Sequence, residues 1–184
     1  MDLISRAKSI TLTPVAEWPV IEREPTDTSA LFIRYAVPLA AASAVAKFIG
    51  LGLIGAMIGY RLGFVTALSS ALSGFIFSLI GIFLVGKLAA YLAPQFGGVA
   101  DETAAMKLVV YSHTPAWLAS LFIIIPPLGF LAILGLWGIY VLWMGVGPML
   151  KVPEDKKLIF VLAMAACGIV ASIIIGALAA LVSL

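Results

Sequence analysis

Five long apolar stretches, at about 30–56, 64–92, 104–125, 127–149 and 158–184, dictate what this chain can fold into. Each holds roughly 22 to 29 residues, enough at 1.5 Å of helix per residue to cross a hydrocarbon core of about 30 Å, with tilt or a kink for the longer ones. Composition agrees: 63% of the 184 residues are hydrophobic and 11% charged, whereas about a quarter are charged in a soluble domain. The expected fold is an all-α integral membrane protein, a five-span helical bundle covering residues 30–184, preceded by a polar N-terminal segment, residues 1–29.

The basic residues then set the orientation. With the N-terminus in the cytosol, Arg6, Lys8, Arg23, Arg34, Lys87, Lys107, Lys151, Lys156 and Lys157 all face or flank the inside, and Arg61 alone lies outside. That division follows the positive-inside rule and requires an odd number of spans, N-terminus cytosolic and C-terminus outside. The acids Asp2, Glu17, Glu22, Glu24, Asp27, Asp101, Glu102, Glu154 and Asp155 fall in the same cytosolic segments. No carboxylate is therefore expected within the membrane, which disfavours proton or cation coupling through intramembrane acids.

Other classes are excluded by what is missing from the pattern. A net charge of +2 without a basic run interleaved with aromatics does not suit nucleic acid. One cysteine, Cys167, supplies neither a disulfide framework nor a thiolate site. There is no nucleophile elbow, phosphate loop, HExxH or paired carboxylate at useful spacing, so no enzyme, no metal site and no cofactor are expected. The opening MDLISRAKSITLTP has an acid at position 2 and no continuous apolar core, unlike a cleaved secretory signal. Within it Leu3, Ala7 and Ile10 recur near helical spacing with Arg6 and Lys8 on the polar side, which predicts a short surface-lying helix; the alternative is a frayed tail. Trp18, between Glu17 and Pro19, reads as a headgroup-level anchor.

Two stretches carry a resemblance. TPVAEWPVIEREPT…LFIRYAVPLAA and VVYSHTPAWLASLFIIIPPLGFLAILGLWGIYVLWMGVGPMLKVPEDKK resemble the prokaryotic branch of the Yip1 domain family. The residues that carry it are Trp18 with Glu24 and Pro25, Tyr35 with Pro38, Tyr111 with Thr114 and Pro115, and Gly147–Pro148 through Pro153–Glu154–Asp155–Lys156. The resemblance implies five spans in a prokaryotic plasma (inner) membrane and no defined activity; eukaryotic relatives act in vesicle traffic with small Rab-type GTPases. It assigns no role to His113.

The candidate functional positions lie where polar groups enter the apolar runs. In YSHTP, Pro115 cannot donate to the Tyr111 carbonyl and bends the third span, while Ser112, Thr114 or a water can satisfy the freed group. His113 lies roughly 13 Å into the span. At 100° per residue Tyr111 and Pro115 share a face, and His113 pairs with Trp117 on nearly the opposite one. His113 is read either as a neutral, hydrogen-bonded packing residue or as a hydrogen-bond, metal or proton-carrying group. Lys47, about 25 Å into the first span, is read as snorkelling to the outer interface or as meeting carbonyls or an anionic lipid headgroup, with or without Arg61 beside it.

Small residues at four-residue spacing complete the pattern. Ala36, Ala40 and Ala44 form one ridge, Gly55, Gly59 and Gly63 a second, Ser70, Gly74 and Ser78 a third, and Gly168, Ser172 and Gly176 a fourth. Such ridges predict close helix packing within the bundle or self-association; Gly55 to Gly63 alternatively form the outer turn. Two functions stay open. The first is a non-catalytic scaffold or organiser of membrane lipid, including anionic headgroups, or of protein partners. The second is a channel or carrier for a small solute, ion or lipid, using Tyr111, His113 and Lys47.

Overall fold

The computed structural model describes residues 2–55 and 63–182, and among these the chain is helical with no strand. Two short helices, α1 (Leu3–Leu12) and α2 (Pro14–Arg23), precede five helical spans. The spans are Thr28–Ile54, Phe64–Phe96, Glu102–Ile124, Pro126–Leu150 and the fifth helix, Glu154–Val182.

Caps explain why several spans begin earlier than hydropathy alone indicates. The Asp27 carboxylate accepts from the Ala30 N–H at 2.6 Å and from the Ser29 hydroxyl at 2.7 Å, starting the first span at Thr28. Those two donors, the backbone N–H first, hold its carboxyl below the usual carboxylate range. Asp101 caps the third span through the Ala104 N–H at 2.9 Å. Gly97, at φ 80°, closes the second span in the left-handed conformation that side chains disfavour.

Proline shapes two spans. Pro38 has no N–H for the carbonyl of Arg34, and the preceding turn, Phe32–Ala36, is wound as π-helix. Pro115 interrupts the third span as expected: α-helix ends at Ser112 and restarts at Thr114. Gly138 of the fourth span lies over this break, so close that a Cβ there would stand 2.5 Å from the Ser112 carbonyl oxygen.

The third span is central. Over half of its apolar window, 56%, is buried, against 28% or less in the other four. It packs on the second and fourth spans, while the fifth packs on the second and fourth. All five spans place their charged termini at one end, where the pairs Lys87–Glu102, Lys151–Glu22 and Lys157–Glu154 lie.

The N-terminal segment opens with the expected short helix, Ala7 and Ile10 on its buried face, but with Arg6 buried too and in a different setting from the one expected. It is neither a tail nor a helix lying on the surface, because α1 and α2 form a hairpin inserted against the third and fourth spans. Trp18 is fully buried and donates its indole N–H to the Val141 carbonyl at 2.9 Å, lying over Gly145 rather than among headgroups. At the hairpin turn, the Thr11 carbonyl accepts from the Trp137 indole at 2.9 Å. Trp137 begins the α-helical half of the fourth span, which ends at Leu150; at 1.5 Å per residue the turn reaches roughly 20 Å past the charged end. Leu12, Val15 and Val20 point outward, 66%, 62% and 46% exposed, as suits side chains facing lipid at that depth.

The hairpin also takes a carboxylate out of water, against the third and fourth spans. Glu17, 7% exposed, is carried inward opposite Arg6, 3% exposed. The physical reason is neutralisation: the two form an ion pair, and two helices satisfy most of the hairpin's own backbone groups.

Candidate functional site

The break at His113 turns the polar groups of the third span to opposite sides, and each side has its own surroundings. On the Tyr111 side, the first span, the hairpin and the third span converge. The Tyr35 and Thr114 hydroxyls are 2.8 Å apart, with Thr114 fully buried. The Tyr35 ring meets Tyr111 edge-on at 4.7 Å, and Trp18 meets Tyr111 at 6.4 Å. The Arg6 guanidinium lies 5.9 Å from the Tyr111 ring centre and pairs with both Glu17 and Glu24.

Lys107 completes this side. Its ammonium donates to the carbonyls of Ile21 at 3.0 Å and Glu24 at 2.5 Å, capping the C-terminal end of α2. A polar cavity of about 390 Å³ opens beside the cluster toward the charged end, bordered by Arg6, Glu24, Arg34, Tyr35 and Tyr111.

The other side is unfilled. His113 meets Trp117 edge-on at 4.9 Å, as the helical spacing predicts. Two cavities, of about 520 Å³ and 340 Å³, share Val85, Val109, His113, Gly168 and Ser172 in their walls. Among the described residues Lys47 is the sole charged one lining either, and no carboxylate does. Among the described residues Lys47 has neither an ion-pair partner nor a hydrogen bond, and the Ser112 hydroxyl and the Trp117 indole N–H are buried without partners.

The Lys47 side chain does not snorkel outward. Its Nζ lies 3.8 Å from where a Cβ on Gly74 would stand, ten residues inside the second span, so the absence of a side chain at Gly74 leaves room for the ammonium to turn inward.

The small-residue ridges divide in the same way. Gly168 and Gly176 face open space, with nothing within 4 Å of a Cβ built on either, and the Ser172 hydroxyl donates to its own helix at the Gly168 carbonyl. Gly74 and Ser78 line the smaller cavity, and Gly63 is exposed at the start of the second span. Ser70 is half-buried and its carbonyl accepts from Ser73, and Gly55, helical like the residues before it, is buried. Gly59 and Arg61 lie outside the described residues. The closest helix approaches use other glycines: Gly50 on the Ile123 carbonyl, Gly86 on Met106 and Gly145 on Trp18.

Among the described residues no three His, Cys, Asp or Glu side chains gather into a metal site. The residues that sequence reasoning missed are Arg6, Glu17 and Lys107. Arg6 and Glu17 lie on separate helices, so no periodicity within one helix brings them together; the resemblance did single out Trp18 and Glu24 beside them.

Five apolar helices around a buried YSHTP break, with the WPVIEREP segment folded onto it, agree with the comparison by family. The Yip1 domain family matches residues 8–178. This chain belongs to that family. The match takes in the N-terminal hairpin from Lys8 onward together with the five spans, so the hairpin's second helix and the bundle fall within one domain. No curated protein and no solved structure matches the chain.

Proposed function

We propose that this Yip1-domain protein is a non-catalytic organiser of the membrane, holding lipid and protein partners rather than turning over a substrate. It resides in a prokaryotic plasma membrane with the N-terminus cytosolic and the C-terminus outside, as the basic residues of the charged end favour. The observation that carries this reading is the separation of polar groups by the third span. Tyr111, Tyr35 and Thr114 are packed against the hairpin on one side, while His113 and Lys47 line cavities on the other. A carrier needs a continuous solvated path with polar walls, and the third-span helix itself lies between the two sets.

The alternative of a channel or carrier draws on the cavity between Lys47 and His113, and requires it to join the Tyr111 side when the break at Pro115 flexes. Reconstitution of the full chain in proteoliposomes separates the two. An organiser gives copurifying lipid or protein with no solute flux above protein-free vesicles. Flux that falls on Tyr111→Phe or His113→Ala substitution makes it a carrier.

A further inference from the structure

The Lys47 ammonium is an uncompensated charge in an apolar setting. A lysine carried below the headgroups on a membrane helix is costly, a cost that snorkelling normally relieves. Here the side chain turns toward Gly74 and the cavity instead. Among the described residues neither cavity wall contains a carboxylate to pair with it. Such a position favours an anion supplied by the surroundings.

The geometry also says how that anion arrives. The second span, Phe64–Phe96, has 33 residues, roughly 50 Å of helix, about 20 Å more than the hydrocarbon core. Gly74, beside the Lys47 ammonium, lies ten residues from its uncharged end at Phe64, roughly 15 Å along the axis, which puts the ammonium about 5 Å below the headgroup boundary if the excess is shared. A lipid phosphate at that boundary is within reach of the lysine stem. Below it the cavities continue to His113, at the middle of the third span, between walls of Val85, Val109, Gly168 and Ser172. The joint space is within the range of known small-molecule sites, mostly apolar with a few convergent polar groups. Ser112, buried with its hydroxyl unpartnered, lines the larger cavity at its deep end.

We infer that the space between Lys47 and His113 is a binding site for one anionic phospholipid, its headgroup phosphate paired with the Lys47 ammonium and an acyl chain filling the cavity down to His113. The glycines of the fifth span are then the floor of a lipid groove. The leaflet is the one at the uncharged end of the bundle, opposite the leaflet at the cluster of basic residues. This rests on the reading of the protein as an organiser of lipid.

The test uses the full chain in phosphatidylcholine nanodiscs with phosphatidylglycerol added stepwise and bound lipid counted by native mass spectrometry. The wild type retains one phosphatidylglycerol in preference to phosphatidylcholine. Lys47→Met weakens that retention by roughly fivefold or more, the scale of one basic residue's attraction for anionic lipid, and Lys47→Arg restores it. Gly168→Leu, whose side chain projects into open space, blocks the acyl chain and weakens retention with Lys47 intact. Equal retention of the two lipids by the wild type, undiminished phosphatidylglycerol on Lys47→Met, or displacement of the bound lipid by inorganic phosphate alone overturns the site. Should Lys47→Met fail to fold, the wild-type preference and Gly168→Leu decide the matter. Solute flux with phosphatidylglycerol still held would sink the organiser reading and leave this site standing; no flux and no lipid preference would do the reverse.

Discussion

On one side of the third span most buried polar groups find partners within the chain, the Thr11 hydroxyl excepted; on the other, groups a few residues away lack them. Arg6 serves two carboxylates, Lys107 two carbonyls and Thr114 a tyrosine hydroxyl. Across the helix, the Ser112 hydroxyl and the Trp117 indole are buried with no partner among the described residues, and Lys47 faces a cavity without an anion. The contrast teaches that a bilayer tolerates charge in two ways: by neutralisation inside the protein, which produces a closed and rigid cluster, or by leaving a place for something the membrane supplies.

If the first side is a structural latch, removing one member of its ion cluster should have the largest effect. Arg6→Ala leaves Glu17 buried without its cation, and loss of one partner of a buried pair costs about 3–5 kcal/mol. Thermal unfolding in detergent should fall accordingly, and the double variant Arg6→Met with Glu17→Leu should recover much of it. Little loss on Arg6→Ala would mean that water reaches Glu17. Tyr35→Phe is milder, since it deletes one hydroxyl and leaves Thr114 unsatisfied, at about 1–3 kcal/mol.

Substitution on the second side should disturb the fold least. His113→Ala loses an edge-on contact with Trp117, of the order of 0.5–1.5 kcal/mol, and should retain expression and melting behaviour close to wild type. A collapse in yield would show that His113 makes a structural hydrogen bond. The smallest effect belongs to Asp27, which is fully exposed at the cap of the first span. Its folded pKa is depressed, so the cap contributes above the unfolded value near 3.8 and its contribution fades as pH falls through the lower folded value. Hydrogen exchange at the Ala30 amide should quicken relative to Asp27→Asn in that acid window and not above it.

How much of this was legible in the sequence follows from the physics of each feature. The spans were readable because a run of apolar residues has one stable solution in lipid, and the Pro115 break because proline lacks a donor wherever it sits. The faces of Tyr111 and His113 followed from helical periodicity. The hairpin was not readable, because hydropathy averages over a segment and treats Arg6, Glu17 and Glu24 as separate costs; their pairing is a tertiary event that removes most of that cost. Lys47 eluded the same reading, since whether a lysine snorkels depends on the neighbour it meets, here Gly74 on another helix. The Gly168, Ser172 and Gly176 ridge illustrates the converse: four-residue spacing permits close approach without supplying a helix to approach.

The depth of the hairpin in the bilayer is the decisive quantity. Cysteine placed at Leu12 at the hairpin tip, in a Cys167→Ala background and carrying a spin label, reports it through relaxation by oxygen and by a water-soluble nickel chelate in bilayers. Strong oxygen and weak nickel accessibility at Leu12, with the reverse at a label on Val99 near the charged end, is the expected pattern. A label at Leu12 that meets nickel as readily as Val99 would place the hairpin in water and contradict the arrangement described.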